Sequence, residues 1–225
     1  MEEEGQKVIF VLEGATLDTA KIKKDGEFVL LNSDDHTNYL KKIGVDPAEY
    51  RPDITHQTLL ALLDSPLAKA GKIQVYIHTF KNVLIYVSPQ LRMPRTYKRF
   101  AGLITQLLHT RKIKAADNGK YLMRVIKNPI TDHLPVGSIK IGTSVESELT
   151  DIFEFVKDPS YQFTSSDPNK APKTPVFVIG ACAHGHPAKE VDYISKAISI
   201  SNYHLSAACC ASRIAFAFEV LWGIV

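Results

Sequence analysis

The chain has 225 residues, of which 45% are hydrophobic and 23% are charged. This composition is that of a globular protein long enough to bury its own core, and it excludes a disordered chain and a collagen-like fibre. Three cysteines, two of them adjacent, argue against a disulfide framework, and no Cys or His spacing is typical of a zinc site. The chain starts with Met1 and three glutamates, so we expect no signal peptide and a reducing compartment.

Charge is distributed unevenly along the chain, whose total net charge is only +3. Residues 67–127 contain thirteen Lys and Arg residues and one acid, Asp117, which gives this segment +12 and leaves −9 for the rest. A basic segment of this kind is typical of a surface that binds a polyanion such as nucleic acid. A solvated lysine-rich face has the same composition, so charge alone leaves both interpretations open.

Runs of apolar residues predict buried strands. Residues 7–12 predict the first strand, 72–78 and 82–87 predict two strands joined by a short turn, and 176–179 predict a strand that ends at Gly180. Strands that alternate with helices favour an α/β fold with a largely parallel sheet.

Helices are predicted between these strands. A short helix is expected after Asp34 and Asp35, either of which can cap it, and a longer helix is expected over 54–67. The final segment, 205–225, is apolar but contains two charged residues, so it predicts a buried helix rather than a membrane span. Residues 157–175, rich in Pro, Ser, Asp and Lys, predict a loop.

One further helix follows Pro94, which suits a first helical turn. Its predicted core-facing positions are Phe100, Leu103, Ile104, Leu107 and Leu108. Arg95 and Arg99 are four residues apart and lie on the opposite face with Gly102, where a second molecule can approach the backbone closely. Arg92 lies just before the helix, where free backbone N–H groups favour anions.

Two loops near the C-terminus are candidates for a binding site. The last predicted strand runs into a loop with two glycines five residues apart, Gly180 and Gly185. Ligands of α/β proteins bind beyond the carboxyl ends of strands, although these glycines also suit an ordinary tight turn. The polar loop 200–206 contains Tyr203 and can hold a flat heterocycle, or it is simply the start of the last helix with Ser206 as its cap.

A third candidate feature is the pair formed by Arg51 and Asp53. Asp53 can cap the helix predicted at 54–67 and can also hold Arg51 in one rotamer, which suits bidentate recognition of a phosphate or a base. A surface salt bridge beside a helix cap is the alternative. No spacing in the sequence predicts a metal-ligand set or a nucleophilic triad, so no catalytic residue is assigned.

Several long motifs resemble those of a known enzyme family. They are Arg51-Pro-Asp-Ile-Thr-His-Gln57, Leu63-Asp-Ser-Pro66, Ala70-Gly-Lys72, Arg92-Met-Pro-Arg95, Lys98-Arg-Phe-Ala-Gly102 and Val125-Ile-Lys-Asn-Pro-Ile-Thr-Asp-His-Leu-Pro135. On these motifs the chain resembles the eukaryotic and archaeal pseudouridine N1-methyltransferases of small-subunit ribosomal RNA. This ribosome-biogenesis family belongs to the SPOUT class, and the resemblance runs from about Lys7 to the C-terminus.

The resemblance implies the fold and the activity. It implies one α/β SPOUT-type domain over residues 1–225, with a mostly parallel sheet flanked by helices, a C-terminal trefoil knot and a homodimer. An RNA-binding surface is implied in 51–127 and cofactor loops in 140–206. The implied reaction is S-adenosylmethionine-dependent methylation of N1 of a pseudouridine in a hairpin loop of small-subunit ribosomal RNA. The family works with small-subunit assembly factors in the nucleolus, or in the cytoplasm where the source has no nucleus.

The resemblance also implies site residues. The positions that match the family's cofactor site are Thr143, Gly180, Gly185, Ile200, Ser201, Asn202, Tyr203, His204 and Leu205. The positions that match its RNA contacts are Arg51, Arg92, Arg95 and Arg99, with Asp53 orienting Arg51. No metal is implied. Asn202 and His204 stand where the family commonly has Asp and Pro, and we expect backbone contacts to the cofactor to survive both changes.

Two alternatives remain at the level of sequence. The first is a non-catalytic assembly factor that uses the same arginines as an RNA chaperone, and the second is a methyltransferase of a different RNA. Gly180, Gly185 and Tyr203 favour an enzyme, and the pattern over 92–102 favours the ribosomal substrate.

The final predicted helix is rich in aromatic residues. Phe216, Phe218 and Trp222 lie within seven residues of one another. One side of a helix in a monomer has little room to bury so much aromatic surface, which predicts that this helix lies in the interface of a homodimer.

Overall fold

The computed structural model describes residues 6–165 and 171–225. The strands are β1 Val8–Ala15, β2 Thr19–Lys21, β3 Phe28–Leu30, β4 Ile73–Thr79, β5 Leu84–Val87, β6 Lys112–Lys114, β7 Tyr121–Ile126, β8 Ile139–Leu149, β9 Pro175–Gly180 and β10 Lys196–Ser199. The helices are α1 Ser33–Lys42, α2 Pro52–Leu63, α3 Pro66–Lys69, α4 Tyr97–Thr110, α5 Ile152–Lys157, α6 Pro187–Glu190 and α7 Ala207–Trp222. Of the loop predicted over 157–175, residues 166–170 lie outside the described residues.

The described strands form an eight-stranded sheet in the order β10-β8-β9-β1-β4-β5-β7-β6, with β2 and β3 as a separate hairpin. From β10 to β4 every neighbouring pair is parallel, and from β4 to β6 every pair is antiparallel. The predicted α/β class with a largely parallel sheet is therefore confirmed. Because β8 lies between β9 and β10, the chain that leaves β9 must cross β8 to reach β10.

The centre of the sheet is apolar on both faces, as parallel strands in α/β proteins are. The strand predicted at 7–12 is confirmed as β1, and Val8, Phe10 and Leu12 are fully buried in the core between the sheet and α2, α4 and α7. Ile9 and Val11 point to the opposite face, where they pack with buried residues of the 3₁₀ turn at Ile130–His133 and of α6.

The beginnings of the first two helices differ from the prediction. Asn32, not Asp34 or Asp35, caps α1, because its side-chain oxygen accepts the backbone N–H groups of both aspartates. Asp53 does not cap α2, which already begins at Pro52. The helix predicted over 54–67 ends at Leu63, because proline at the start of α3 cannot continue it.

The core-facing stripe of α4 is confirmed, but the predicted start of the helix is wrong. Phe100, Ile104 and Leu107 are fully buried, and the other two predicted positions are partly buried against the same cluster. The helix begins at Tyr97, so Pro94 precedes it by three residues and Arg95 is not one helical turn from Arg99. Both arginines are nevertheless exposed.

The final helix begins as predicted, with the Ser206 hydroxyl accepting the Cys209 N–H at 3.2 Å. Phe218 is fully buried within its own chain, whereas the Phe216 side chain is 54% exposed. Buried Glu219 accepts the N–H of Leu67 at 3.0 Å and so ties α7 to the first turn of α3. Within the described residues, no helix is both long enough and apolar enough to cross a membrane.

Candidate functional site

A cavity of about 400 Å³ lies where β9 and β10 end and α7 begins. Its walls include eight of the nine residues proposed for the cofactor, namely Thr143, Gly180, Gly185, Ile200, Ser201, Tyr203, His204 and Leu205. The ninth, Asn202, is exposed and is not part of the wall. Three separate segments of sequence therefore meet around one space, as the position of ligand sites at strand ends leads us to expect.

The first wall comes from an interruption in the pairing of β8. Strand β10 pairs with β8 at Ile141 and Gly142, and then again only at Glu148 and Leu149. The residues between leave the ladder, and Thr143, Ser144 and Val145 line the cavity. The Thr143 hydroxyl donates to the carbonyl of Val178 at 3.0 Å, which fixes this segment against β9.

The second wall is the loop after β9, which packs closely on the sheet because glycines leave room for it. A Cβ atom at Gly142 would lie 2.2 Å from the backbone oxygen of Ala188, and one at Gly14 would lie 3.1 Å from the Pro187 ring. A Cβ atom at Gly180 would meet the same ring at 3.4 Å. Gly185 has a φ of 83°, which glycine adopts without strain.

The third wall is the loop between β10 and α7. The Tyr203 N–H donates to the Ser201 hydroxyl at 3.0 Å, and the Ser199 hydroxyl donates to the Ser201 carbonyl at 2.8 Å. These bonds fix the loop backbone while leaving the Tyr203 side chain 77% exposed. The ring is therefore available to cover a ligand.

Helix α2 brings Arg51 to the same cavity, together with Ile54 and Gln57. The Arg51 Nε and Nη2 groups donate to the two carboxylate oxygens of Asp53 at 2.8 and 2.7 Å, so the predicted pairing is confirmed. The hydrogen bonds that Arg51 donates to Asp53 raise the pKa of Arg51 above its ordinary value. Because the pair is bidentate, the guanidinium is held in one orientation at the cavity wall.

The other three predicted RNA-binding arginines lie within eight residues of one another, before α4 and in its first turn. Arg92, Arg95 and Arg99 are all exposed, and Arg95 donates to the Asp64 carboxylate at 3.0 Å. We call these three residues the arginine surface. It is joined to α2 by His56, whose Nε2 lies 2.7 Å from the carbonyl of Pro94 and whose ring stacks on Phe100 at 4.5 Å.

Polar groups that the sequence analysis did not identify also line the cavity. His186 Nδ1 lies 3.2 Å from the Ser144 hydroxyl, and its Nε2 lies 3.2 Å from the Glu146 carboxylate. Lys189 pairs with the same carboxylate at 3.2 Å. The only sequence signal for this network is the second histidine of the loop after Gly180, and its partners come from β8, which apolar periodicity does not predict.

Thiols and metal ligands contribute little to this site. Burial raises the pKa of Cys210 to about 11, so its thiol at the cavity wall is neutral at physiological pH. Burial also raises the pKa of Cys182. Over residues 6–165 and 171–225, no group of three or more His, Cys, Asp and Glu side chains is arranged to hold a metal ion.

Comparison with solved structures defines the class of protein. The fold is similar to the crystal structure of Archaeoglobus fulgidus Nep1 bound to S-adenosylhomocysteine, with a TM-score of 0.75 and 25% sequence identity. The alignment covers 96% of this chain and 99% of that one. Together with the cavity at the ends of the parallel strands, this match defines an α/β protein of the SPOUT class.

The family follows from the sequence comparisons. A family model described as EMG1/NEP1 methyltransferase matches residues 10–219, so the chain belongs to this family. The ribosomal RNA small subunit methyltransferases NEP1 of Mus musculus and Homo sapiens are 53% and 52% identical over 222 residues, covering 98% of this chain and 84% of each relative. The Nep1 protein of the archaeon Staphylothermus marinus is 34% identical over 209 residues, 90% of this chain and 84% of that relative. The family resemblance seen in the motifs is therefore confirmed.

Proposed function

We propose that this protein transfers the methyl group of S-adenosylmethionine to N1 of a pseudouridine in a hairpin loop of small-subunit ribosomal RNA. The observation that carries the proposal is the position of Arg51. It lies in the wall of the cavity and directly before the helix that His56 joins to the arginine surface. A cofactor in the cavity and an RNA on that surface can therefore meet beside Arg51.

The cavity fits the proposed cofactor. Its volume of about 400 Å³ lies within the usual range for small-molecule sites, and its walls combine backbone, apolar side chains and a few fixed polar groups. The loops around Gly180, Gly185 and Tyr203 would hold S-adenosylmethionine, which supplies an activated methyl group when bound. The archaeal Nep1 structure of similar fold is bound to S-adenosylhomocysteine, which supports this choice of cofactor.

The arginine surface would hold the RNA while the target base enters the cavity. Exposed guanidinium groups bind phosphates and fix the position of the RNA without reading its sequence. The target base must leave its stack to reach the cavity, which is easiest in a hairpin loop. The chain then acts mainly by positioning, since holding two reactants together lowers a barrier by several kcal/mol.

The geometry supports an orienting role for Asp53. Both of its carboxylate oxygens already accept hydrogen bonds from Arg51. A carboxylate engaged in this way is a poor acceptor for the proton that pseudouridine N1 must lose. Arg51, held rigidly at the cavity wall, is the group of this pair that would touch the flipped base.

We also propose that the protein is a homodimer. The outer face of α7 exposes Phe216 and Val220, with side chains 54% and 50% accessible, and Phe153 of α5 packs edge-on against Phe216 at 5.9 Å. The indole N–H of Trp222 is buried without a hydrogen-bond partner in the described residues. Phe218 contributes to the core of its own chain, so the apolar surface available for a second copy is smaller than the sequence predicted.

We also propose a C-terminal trefoil knot and a cellular context for the protein. The crossing of β8 by the chain between β9 and β10 is the arrangement that a C-terminal knot requires. The names of the mouse and human relatives point to small-subunit ribosomal RNA. We therefore expect the protein to act with small-subunit assembly factors, in the nucleolus of a eukaryotic source or the cytoplasm of a cell without a nucleus.

The experiment that tests the proposed reaction uses two synthetic hairpins that differ only in uridine or pseudouridine at one loop position. Labelled S-adenosylmethionine should transfer its label to the pseudouridine hairpin alone, because N1 of uridine is bonded to the sugar. Equal transfer to both hairpins would contradict the proposed position of methylation. Tight binding without transfer to either would contradict the enzyme and favour a non-catalytic RNA-binding factor.

A further inference from the structure

A second basic feature lies away from the arginine surface, on strands β5, β7 and β6. Arg124 of β7 has its guanidinium carbon 5.3 Å from the centre of the Tyr86 ring and 5.5 Å from the centre of the Tyr121 ring. We call these three residues the tyrosine–arginine clamp. Both distances are within the range of cation–π contacts, so two rings hold one exposed guanidinium.

Two lysines extend the clamp along the edge of the sheet. Lys112 of β6 is the direct cross-strand neighbour of Arg124, and Lys114 is the neighbour of Tyr121. The Lys114 ammonium also lies 5.1 Å from the centre of the Tyr121 ring. Three cations therefore lie on neighbouring positions at the end of the sheet, and two of them contact aromatic rings.

No carboxylate in the part of the chain that the structure describes forms an ion pair with these three cations. Arg95, in contrast, is already paired with Asp64. A ring orients a guanidinium without neutralising its charge, so the N–H donors of Arg124 remain available. Such a group is preorganised for an external anion.

The clamp and the arginine surface lie on opposite sides of the sheet. Met123 and Ile113 are buried beneath α4, and neighbouring residues of a strand point to opposite faces. Arg124 therefore points away from α4, whereas Arg99 is exposed on that helix. An RNA that reaches both must therefore pass around the edge of the sheet at β6.

We propose that the tyrosine–arginine clamp, with the two lysines beside it, is a second RNA-binding element that holds the phosphate backbone of RNA outside the target hairpin. This inference rests on the proposed RNA substrate. The charge of the clamp selects a polyanion. Strand β7, which carries Arg124, is four positions from β9 in the sheet order, so the contact falls on RNA that flanks the target hairpin. Lysines on an edge strand can also serve only to prevent strand pairing. Arg124 is on the interior strand β7, so edge protection does not account for it.

The test compares two RNAs, the minimal pseudouridine hairpin and the same hairpin with single-stranded extensions. Arg124→Gln should weaken binding of the extended RNA by about tenfold, as expected for one charge-assisted phosphate contact. It should also reduce the slope of log K against log salt concentration by about 0.7, the value for one phosphate contact to a single strand. Binding of the minimal hairpin and its methylation should stay at the wild-type level. Lys24→Gln, which removes an exposed cation in the turn between β2 and β3, is the matched control and should change neither.

Substitutions at Tyr121 separate the effect of orienting the Arg124 guanidinium from the effect of its charge. Tyr121→Leu keeps every cation but removes one ring, so it should weaken binding of the extended RNA while leaving the salt dependence near the wild-type value. Tyr121→Phe keeps the ring and should bind like the wild type. An Arg124→Gln protein that binds the extended RNA normally, or loses affinity equally for both RNAs, would overturn the proposal. Absence of methyl transfer by the wild type would contradict the proposed function instead, since the clamp is tested by binding alone.

Discussion

The binding features of the parallel half of the sheet and those of the antiparallel half consist of different kinds of chemical group. In the parallel half, between β10 and β1, the cavity is formed by loops at the strand ends that combine backbone, glycines, apolar side chains and a few polar side chains held by internal hydrogen bonds. In the antiparallel half and on α4, the features are long cationic side chains exposed to solvent. A change of shape should therefore damage the first half, and a change of charge should damage the second.

This difference separates steric effects from electrostatic ones. The walls of the cavity are close-packed, so an added methyl group must displace backbone or leave less room for a ligand. Contacts made by exposed arginines are weaker individually and are screened by salt. Substitutions in the two halves should therefore differ both in size and in their dependence on ionic strength.

The largest effect is expected for Gly180→Val in the cavity wall. The new Cβ would already touch the Pro187 ring at 3.4 Å, so the two methyl groups must enter the space of the cofactor. Overpacking of about 1–3 kcal/mol corresponds to a loss of S-adenosylmethionine affinity of about 5- to 150-fold. Calorimetric titration measures the affinity, and thermal unfolding checks that the variant is folded.

Gly102→Ala is the matched control for this glycine. A Cβ at Gly102 has no atom within 4 Å, and the residue lies on the exposed face of α4. This variant should bind S-adenosylmethionine like the wild type and should be more stable by about 0.5–1 kcal/mol, because glycine disfavours a helix interior. Unchanged titration heats for Gly180→Val would contradict the assignment of the cavity.

A smaller effect is expected where the two halves meet, at Arg51. Arg51→Lys keeps the charge but loses the fork that pairs with both oxygens of Asp53. We expect turnover to fall by about tenfold, as for a misplaced positioning group, with RNA affinity nearly unchanged. Single-turnover rates and RNA titrations separate the two quantities.

The double variant sharpens this test. If Asp53 acts only through Arg51, combining Asp53→Asn with Arg51→Lys should lower turnover little more than either change alone. Additive losses would show that Asp53 has a role of its own.

Removing single charges from the arginine surface should weaken RNA binding by amounts that depend on whether the arginine already has a partner. Arg92→Gln and Arg99→Gln should each weaken RNA binding by a few-fold and reduce its salt dependence by about one counterion. Arg95→Gln should have a smaller effect, because Arg95 already has a partner in Asp64. Binding isotherms at several salt concentrations give the slopes.

Asp64→Asn should change RNA affinity in the opposite direction. It removes a carboxylate that competes with RNA for Arg95 and Lys69, so binding should become tighter. Equal slopes for all three arginine variants, or weaker binding by Asp64→Asn, would contradict this description of the surface.

The smallest effect is expected for the pH dependence of stability at His78, which pairs with Glu13 of β1. A hydrogen bond with buried Glu13, 2.7 Å away, raises the pKa of His78 above its ordinary value. A raised pKa in the folded state stabilises the protein fully below the unfolded value of about 6.5, and this contribution is lost as pH rises through the folded value. The difference in urea stability between wild type and His78→Gln should therefore shrink as the pH rises above about 6.5. A difference that grows with pH would contradict the assigned pairing.

The sequence predicted those parts of the fold whose signal is local and strong. The buried run of β1, the apolar stripe of α4 and the Ser206 cap of α7 each follow from neighbouring residues alone. The N-cap at Asn32 was missed because two adjacent aspartates are equally good caps and only the folded backbone distinguishes them. Strand β10 was missed because Lys196–Ser199 contains only two apolar residues, Ala197 and Ile198, and no apolar run.

The candidate site was less predictable from local patterns. Thr143 reaches the cavity through an irregular pairing of β8 with β10, which depends on two distant segments. The pairing of Arg51 with Asp53 was predicted because the residues are two apart, but Asp53 was also assigned as a cap, since the start of α2 at Pro52 was not recognised. The Glu146–His186 contact joins residues forty positions apart, beyond the reach of spacing arguments.

The contact between Gly142 and Ala188 limits how this enzyme could be adapted by protein engineering. No side chain fits at Gly142 without moving the segment that carries Pro187, so the floor of the cavity and the sheet cannot be redesigned separately. Tyr203 and His204, on the opposite wall, are exposed. A version that accepts a bulkier alkyl donor should therefore be sought by varying the loop before α7, with the strand side kept unchanged.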